Sequence, residues 1–357
     1  MRSQISQIVQ YAEPINTASA EAFERIIKMF PTPLSAQAVW AFDVLREYSL
    51  RGGKRLRGSL AAAIYDEMLG GELQRAGIEL GVALEMMQNY LLIIDDVMDH
   101  SALRRGEPTI HELHLKEYAP YKVDQHESNM MAVSVGLLAQ HMASLVLANL
   151  PVSADNVRKT VETVHINIGA TGLGQIDDLY QQDGRNIDSN DIVRKYHFKS
   201  SYYTFVNPLE SGLALAGKLD QQAIKDCEAF GLPAGVAFQL HDDYLGIFGE
   251  SEQTGKANLD DIQEGKYTLL MQYAFEHASA RDIGILRRLL GNTNANSADL
   301  EIVRAILVRS GAAEYIQSEA LRYAKEAIVA AGEAKTWSSK FAELLVALVN
   351  FSVERQK

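Results

Sequence analysis

The chain has 357 residues, 47% hydrophobic and 22% charged, with 46 acidic against 34 basic side chains and a net charge of -12. That length and apolar content support a substantial buried core and exclude intrinsic disorder, and the acidic balance excludes a general nucleic-acid surface, whose footprint is basic. The single cysteine, Cys227, excludes an intramolecular disulfide framework and fits a reducing compartment.

In chain order, Met1 to Ile8 lacks the continuous apolar run of a secretory signal, so the expected location is cytoplasmic. Residues 132–150 come nearest to a membrane span, but Gln140 and His141 sit in the middle and no basic flank anchors them. A buried helix is expected there, and no transmembrane segment. Apolar residues recur at three- and four-residue spacing, as in Ile302, Val303, Ile306 and Leu307 or Phe341, Leu344, Leu345 and Leu348. Strict polar-apolar alternation bounded by Asn-Gly or Asp-Gly is scarce, so the predicted fold class is all-α, a helical bundle forming a single domain over residues 1–357. Pro151 to Asp155, Asp183 to Ser189 and Gly291 to Ser297 are predicted loops that end in helix-starting serines or aspartates.

Two acidic pairs lie in apolar sequence: Leu91-Leu92-Ile93-Ile94-Asp95-Asp96-Val97-Met98-Asp99 and Gln239-Leu240-His241-Asp242-Asp243-Tyr244. Carboxylates rarely enter such surroundings unpaired, because an isolated ion taken out of water costs several kcal/mol or more. With oxygen donors and no histidine or cysteine cluster, magnesium is the economical counter-ion, since it uses a few carboxylates plus the phosphate oxygens of a substrate. On an ideal helix Asp95, Asp96 and Asp99 fall within roughly 100°, sharing one face. Surface ion pairs with Arg104 and Arg105 would be the bland reading of that motif alone.

The second pair shifts the balance. Asp242 and Asp243 are expected to end an apolar helix over Gly231 to Leu240, followed by a glycine-rich turn and by Lys256 and Lys266. Two acidic faces with lysines at loop positions describe a grip on a diphosphate through bridging metal ions. Upstream, Gly52-Gly53-Lys54-Arg55-Leu56-Arg57 adds cationic groups where glycines permit close backbone approach; the order required for a nucleotide P-loop is absent.

With two further segments, six in all form a pattern. Asp95-Asp96-x-x-Asp99 with Arg104-Arg105-Gly106-x-Pro108, Gly53-Lys54-x-x-Arg57, Gly174-Gln175-x-x-Asp178, Lys199-Ser200, Phe238-Gln239-x-x-Asp242-Asp243 and the Gly255-Lys256 to Lys266 loop stand in an order that resembles the trans-isoprenyl diphosphate synthases of the polyprenyl synthetase family. The resemblance spans about residues 50 to 270 and implies the isoprenoid synthase fold, helices around a deep central cavity.

The resemblance further implies that Asp95, Asp96, Asp99 and Asp242 bind three magnesium ions on an allylic diphosphate, with Asp243 nearby. Arg104, Lys199, Lys256 and Lys266 would neutralise that diphosphate, with Gln175, Asp178 and Gln239 completing its surroundings. Gly53, Lys54, Arg57, Gln88 and Arg105 would hold isopentenyl diphosphate, Gln88 standing where many members carry histidine. Gly246 occupies the place of the second motif's third acid, and Ser200 that of a threonine; both look like marks of a branch resembling archaeal and actinobacterial geranylgeranyl synthases. Tyr90, five residues before Asp95, would be the floor of the hydrocarbon pocket, with Leu84, Met87 and Leu91 beside it, implying a C20 product. A wheel puts Tyr90 roughly 140° from Asp95 and Leu84, Gln88 and Leu91 nearer, so the floor role rests on the resemblance.

The expected reaction is head-to-tail condensation. Ionisation of the allylic carbon-oxygen bond is eased by stabilising the departing diphosphate, apolar walls exclude water, and the double bond of isopentenyl diphosphate attacks the cation before a proton is lost. The alternatives are farnesyl or geranylfarnesyl diphosphate synthesis, a class I terpene cyclase, a head-to-head synthase, and a non-catalytic partner subunit. A cyclase would have little use for Lys54, Arg57 and Arg105, and a subunit need not retain the aspartates. The family also implies a homodimer, with Met130 to Leu150 as a candidate interface, and the tail bearing Arg355 and Lys357 is a candidate closure over the isopentenyl diphosphate site.

Overall fold

The computed structural model describes residues 8–181, 187–249 and 259–354, and helices dominate them. In chain order these are α1 (Ala12–Ile27), α2 (Ala36–Leu50), α3 (Leu56–Leu69), α4 (Arg75–Met98), α5 (Ile110–Glu117), α6 (Gln125–Ala148), α7 (Ala154–Tyr180), α8 (Ser189–Tyr196), α9 (Asn207–Leu215) and α10 (Gln221–Phe248). There follow α11 (Asp260–Gln263), α12 (Leu269–His277), α13 (Ala280–Leu289), α14 (Ser297–Arg309), α15 (Ala312–Glu333) and α16 (Ser339–Glu354). The all-α expectation holds. Two of the predicted loop ends hold, Asp188 forming a capping box at the start of α8 and Ser153 Oγ accepting from Asn156 N at the start of α7; at α14 the capping box is formed by Asn296, an asparagine, with Ser297 already the first helical residue. The chain divides into two compact units, Met1–Val164 with Pro208–Ala223, and His165–Asn207 with Ile224–Lys357.

In the first unit α4 packs against α3 and α6 and is apolar nearly all round, burying Leu80, Val82, Ala83, Leu84, Met86, Met87 and Ile93. A helix with neighbours on several sides has that composition. Among the described residues, α4 and α6 are the two helices long and apolar enough to cross a membrane; 72% of the relevant window of α4 is buried within the protein, as for a core helix, and 44% of that of α6. After α4 the chain makes one short antiparallel ribbon, Leu103–Arg104 with Glu107–Pro108, whose turn residues Arg105 and Gly106 take positive φ of 57° and 80°. Positive φ at both turn positions is the geometry that suits a two-residue hairpin. Two residues per strand are too few to register as alternation in the sequence.

In the second unit a ten-residue π-helix, His197–Val206, follows α8 directly. Its backbone is approached closely by two glycines: a Cβ on Gly174 of α7 would lie 2.3 Å from Lys199 N, and one on Gly235 of α10 would lie 2.3 Å from Ser201 Cα. The Gly174 motif is thus a packing requirement that brings Asp178, one turn further on, to Lys199. One expectation is corrected here. Helix α10 runs unbroken to Phe248, so Asp242 and Asp243 lie inside it and do not end a helix at Leu240. Its apolar pattern continues past them: Ile247 is buried in a core with Leu270, Ile306 and Ile316, and Tyr244 and Phe248 stack against each other with ring centroids 4.8 Å apart.

Candidate functional site

Two sets of polar side chains emerge, one in each unit. In the first, α4 ends at Met98 and Asp99 is its C-cap, still in right-handed helical backbone with its N–H donating to Asp95 O at 2.8 Å, so that it follows Asp95 by one helical turn. Asp95 is half-buried, whereas Asp96 is 1% exposed and has both carboxylate oxygens engaged. Arg104 Nε donates to Asp96 Oδ1 at 2.7 Å, Arg104 Nη2 also contacts Asp96, and Tyr48 OH donates to Oδ2 at 2.8 Å. Arg104 Nη2 lies 3.4 Å from Asp95 Oδ2 as well. Burial raises the Asp96 carboxyl above the usual carboxylate range against the pull of Arg104 and Tyr48.

The ribbon turn aims its two arginines differently. Arg104 turns to the acids; Arg105 Nη1 donates to Gly52 O at 2.5 Å, and its guanidinium lies 3.1 Å from where a Gly53 Cβ would be. The Gly53–Lys54 loop and Arg105 are therefore brought together as the motifs require, with Lys54 exposed and Arg57 half-buried at the start of α3. The intervening Arg55 has a structural role: it is buried, with Nε on Asn16 Oδ1 at 2.7 Å, Nη2 on Ser49 O at 2.6 Å and Nη1 3.5 Å from Glu85. On α4, Leu84 and Met87 are buried and Gln88, Tyr90 and Leu91 half-buried.

In the second unit Lys199 Nζ donates to Asp178 Oδ2 at 2.5 Å, and Lys195 Nζ lies 2.9 Å from Asp178 Oδ1. Burial alone would raise the Asp178 carboxyl, but the two ammoniums outweigh it and hold it well below the usual range. A hydrogen-bonded chain runs alongside. Ser200 Oγ donates to Gln239 Oε1 at 2.6 Å, Gln239 Nε2 to Asp243 Oδ1 at 2.8 Å, and Tyr196 OH to Asp243 Oδ2 at 2.5 Å, while Leu269 N donates to Tyr196 OH at 3.1 Å. Burial pushes the Asp243 carboxyl up to about 7, opposed by Tyr196 and Gln239 and assisted by repulsion from Asp261. Asp242, beside it on α10, is half-buried.

Gly246 carries a specific consequence. A Cβ there would lie 2.0 Å from Asp261 Oδ2, so the carboxylate of Asp261 occupies the space that a third acid of the motif would enter. Lys266 Nζ lies 3.5 Å from Asp261 Oδ1 and 2.5 Å from Glu264 Oε2. Lys256, Arg355 and Lys357 lie outside the described residues, as does Glu250, the acid that follows Gly246 one turn later in the sequence. Gln175 is half-buried on α7.

Four participants carry no motif: Tyr48, Lys195, Tyr196 and Asp261. The signal that points to them is only the general requirement that a buried carboxylate have partners. Of the histidines, His100 is exposed, His241 half-buried, and His111 buried 3.3 Å from Thr109 Oγ1. Among the described residues no three His, Cys, Asp or Glu side chains gather closely enough to hold a metal by themselves. Scattered hard oxygen donors of this kind fit magnesium, which takes one or two carboxylates and completes its shell with water and substrate phosphate oxygens.

Comparison with known proteins agrees with these features. The polyprenyl synthetase family pattern matches residues 39–307. The geranylfarnesyl diphosphate synthase of Aeropyrum pernix is 30% identical over 86% of this chain and 91% of its own length, and the geranylgeranyl diphosphate synthase of Saccharolobus solfataricus is 28% identical over 88% and 92%. The crystal structure of geranylgeranyl pyrophosphate synthase from Corynebacterium glutamicum, complexed with isoprenyl diphosphate and magnesium, superposes with a TM-score of 0.90 at 25% identity, covering 98% of this chain and 99% of that one. The chain belongs to the polyprenyl synthetase family and has the isoprenoid synthase fold. It is a trans-isoprenyl diphosphate synthase, a member of a magnesium-dependent prenyltransferase family.

Proposed function

We propose that this synthase condenses isopentenyl diphosphate with C5 to C15 allylic diphosphates and stops at geranylgeranyl diphosphate, C20. The observation that carries the diphosphate chemistry is the placing of Arg104 on the acids of α4 and of Lys199 on Asp178, a cation held beside an aspartate in each unit. Of the four acids that the resemblance assigns to magnesium we keep Asp95, Asp99 and Asp242, for three ions in all when substrate is bound; Asp96, held by Arg104 and Tyr48, is reassigned to bracing its pair from inside, as Asp243 does. When bound, the metal would stabilise negative charge on the departing diphosphate. The chain's own part is to bind and orient. Arg104, Lys199 and Lys266, with Lys256, neutralise the allylic diphosphate, and Lys54, Arg57 and Arg105 hold isopentenyl diphosphate. Apolar side chains of α4 exclude water from the cation, and no side-chain nucleophile is needed.

Relatives carry both geranylgeranyl and geranylfarnesyl names, so product length rests on Tyr90, a single aromatic five residues before Asp95 with no insertion within the motif. We place the enzyme in the cytoplasm, as a homodimer. Supporting the dimer, α6 exposes Met130 and Leu137, seven residues apart, and α7 exposes Ile166, Leu173, Ile176 and Tyr180 at spacings of seven, three and four that define one helix face. The decisive assay combines purified protein, magnesium, labelled isopentenyl diphosphate and each of the C5, C10 and C15 primers, with products sized after phosphatase treatment. A C20 alcohol is expected from every primer; C15 or C25 alone would overturn the product assignment, and cyclic hydrocarbon made from geranylgeranyl diphosphate without isopentenyl diphosphate would overturn the reaction.

A further inference from the structure

Two lysines converge on Asp178, and the motifs account for one of them. The two differ in how much water they see. The side chain of Lys195, in the last turn of α8, is 4% exposed, whereas that of Lys199, one turn on in the π-helix, is 27% exposed. Lys195 is also fixed on further sides: its Nζ donates to the carbonyl of Tyr267 at 3.3 Å and lies 5.9 Å from the centroid of the Tyr196 ring.

The charges explain why a second lysine is needed. A buried carboxylate stripped of its counter-ion is strongly unfavourable. If Lys199 were the sole partner of Asp178, any phosphate that drew Lys199 away would have to offset that loss. With Lys195 held on the other carboxylate oxygen, one carboxylate and two ammoniums leave the group with a net charge of +1, and Asp178 stays compensated wherever Lys199 goes. We propose that Lys195 is a positioning residue, the fixed counter-ion of Asp178, which makes Lys199 the exchangeable cation for a diphosphate group. This rests on the reading of Lys199 as a diphosphate ligand given above.

The test is a double-mutant cycle on the full-length protein, with the affinity for inorganic pyrophosphate in the presence of magnesium measured by isothermal titration calorimetry, and circular dichroism to establish folding. Lys195→Met is expected to weaken binding on the order of 5- to 150-fold, the usual size of coupling between linked sites, because Lys199 is then retained by Asp178. Lys195→Arg keeps the charge and should bind nearly as wild type. In an Asp178→Asn background there is no carboxylate to neutralise, so adding Lys195→Met should leave affinity unchanged, a recovery that a merely structural role does not produce. Wild-type affinity in folded Lys195→Met would overturn the proposal. So would an undiminished effect of Lys195→Met in the Asp178→Asn background, the comparison that decides if Lys195→Met alone does not fold. Lys199→Met separates the two readings: unchanged affinity there removes Lys199 as a diphosphate ligand, whereas weakened affinity there with none lost in Lys195→Met removes only the role of Lys195.

Discussion

Tyr196 donates its hydroxyl to Asp243 at 2.5 Å, the second aspartate of its pair, and in the other unit Tyr48 does the same for Asp96 at 2.8 Å. Each pair is thereby split into an inner acid, buried and held by a tyrosine, and an outer acid that is half-buried. Replacing either tyrosine by phenylalanine leaves a buried carboxylate short of a donor, and at Tyr196 also leaves the Leu269 N–H without its acceptor. Tyr48→Phe and Tyr196→Phe are each expected to lose about 1–3 kcal/mol of stability, read from urea unfolding midpoints. Midpoints identical to wild type would show that the hydroxyls hold nothing in place.

Gly246 and Asp261 form a second testable pair, because any side chain at 246 must displace Asp261 Oδ2, on a carboxylate whose other oxygen lies 3.5 Å from Lys266 Nζ. Gly246→Ala is expected to lower kcat/KM for the allylic substrate by roughly 10- to 100-fold, the scale of an ångström-level misplacement in a site, with little change in melting temperature. Gly246→Asp, which restores the absent third acid, should fare no better. Steady-state kinetics at saturating magnesium measures both; full activity in Gly246→Asp would mean that the Asp261 carboxylate is dispensable where it stands.

The burial of Asp243 makes stability depend on pH in a definite direction. Its folded carboxyl sits at about 7, above an unfolded value of about 3.9, so the folded protein binds the extra proton between those limits. The contribution is fully present below the unfolded value and is lost as pH rises through about 7. Guanidinium unfolding in chelator from pH 5 to 8 should show wild type losing stability relative to Asp243→Asn across that range. Parallel curves for the two proteins would contradict a raised carboxyl at this position.

The helices and their starts are legible in the sequence because apolar periodicity and capping residues are local: Asp188 and Asn296 announce α8 and α14 within three residues. The motif side chains are legible for a different reason, that carboxylates and glycines in apolar sequence demand explanation. What is not legible depends on distance along the chain. Tyr48 meets Asp96 across 48 residues and Tyr196 meets Asp243 across 47, and no local pattern encodes either meeting. The end of α10 is misjudged for a related reason: a pair of aspartates reads as a helix terminus until Ile247 and Phe248 are seen to pack beyond it. The π-helix has no sequence signature, and it shows only through glycines that accommodate it, Gly174, Gly231 and Gly235.

Product length sets the position of a residue along the chain against its direction around the helix. Tyr90 lies five residues before Asp95 and is half-buried, but on an ideal helix it points roughly 140° away from Asp95, whereas Gln88 and Leu91, seven and four residues before it, share its face. A growing chain that leaves its diphosphate at Asp95 and follows α4 towards its N-terminus therefore meets Leu91 and Gln88 directly, and meets Tyr90 only if it crosses the helix. The assignment of the floor to Tyr90 follows its place five residues before Asp95 and so requires that crossing: on it, Tyr90→Ala is expected to lengthen the product by one or more five-carbon units and Leu91→Ala to leave it at wild-type length, with both read by mass analysis of the dephosphorylated alcohols. If Leu91→Ala lengthens the product and Tyr90→Ala does not, the floor lies on the aspartate face of α4 and Tyr90 is ordinary packing.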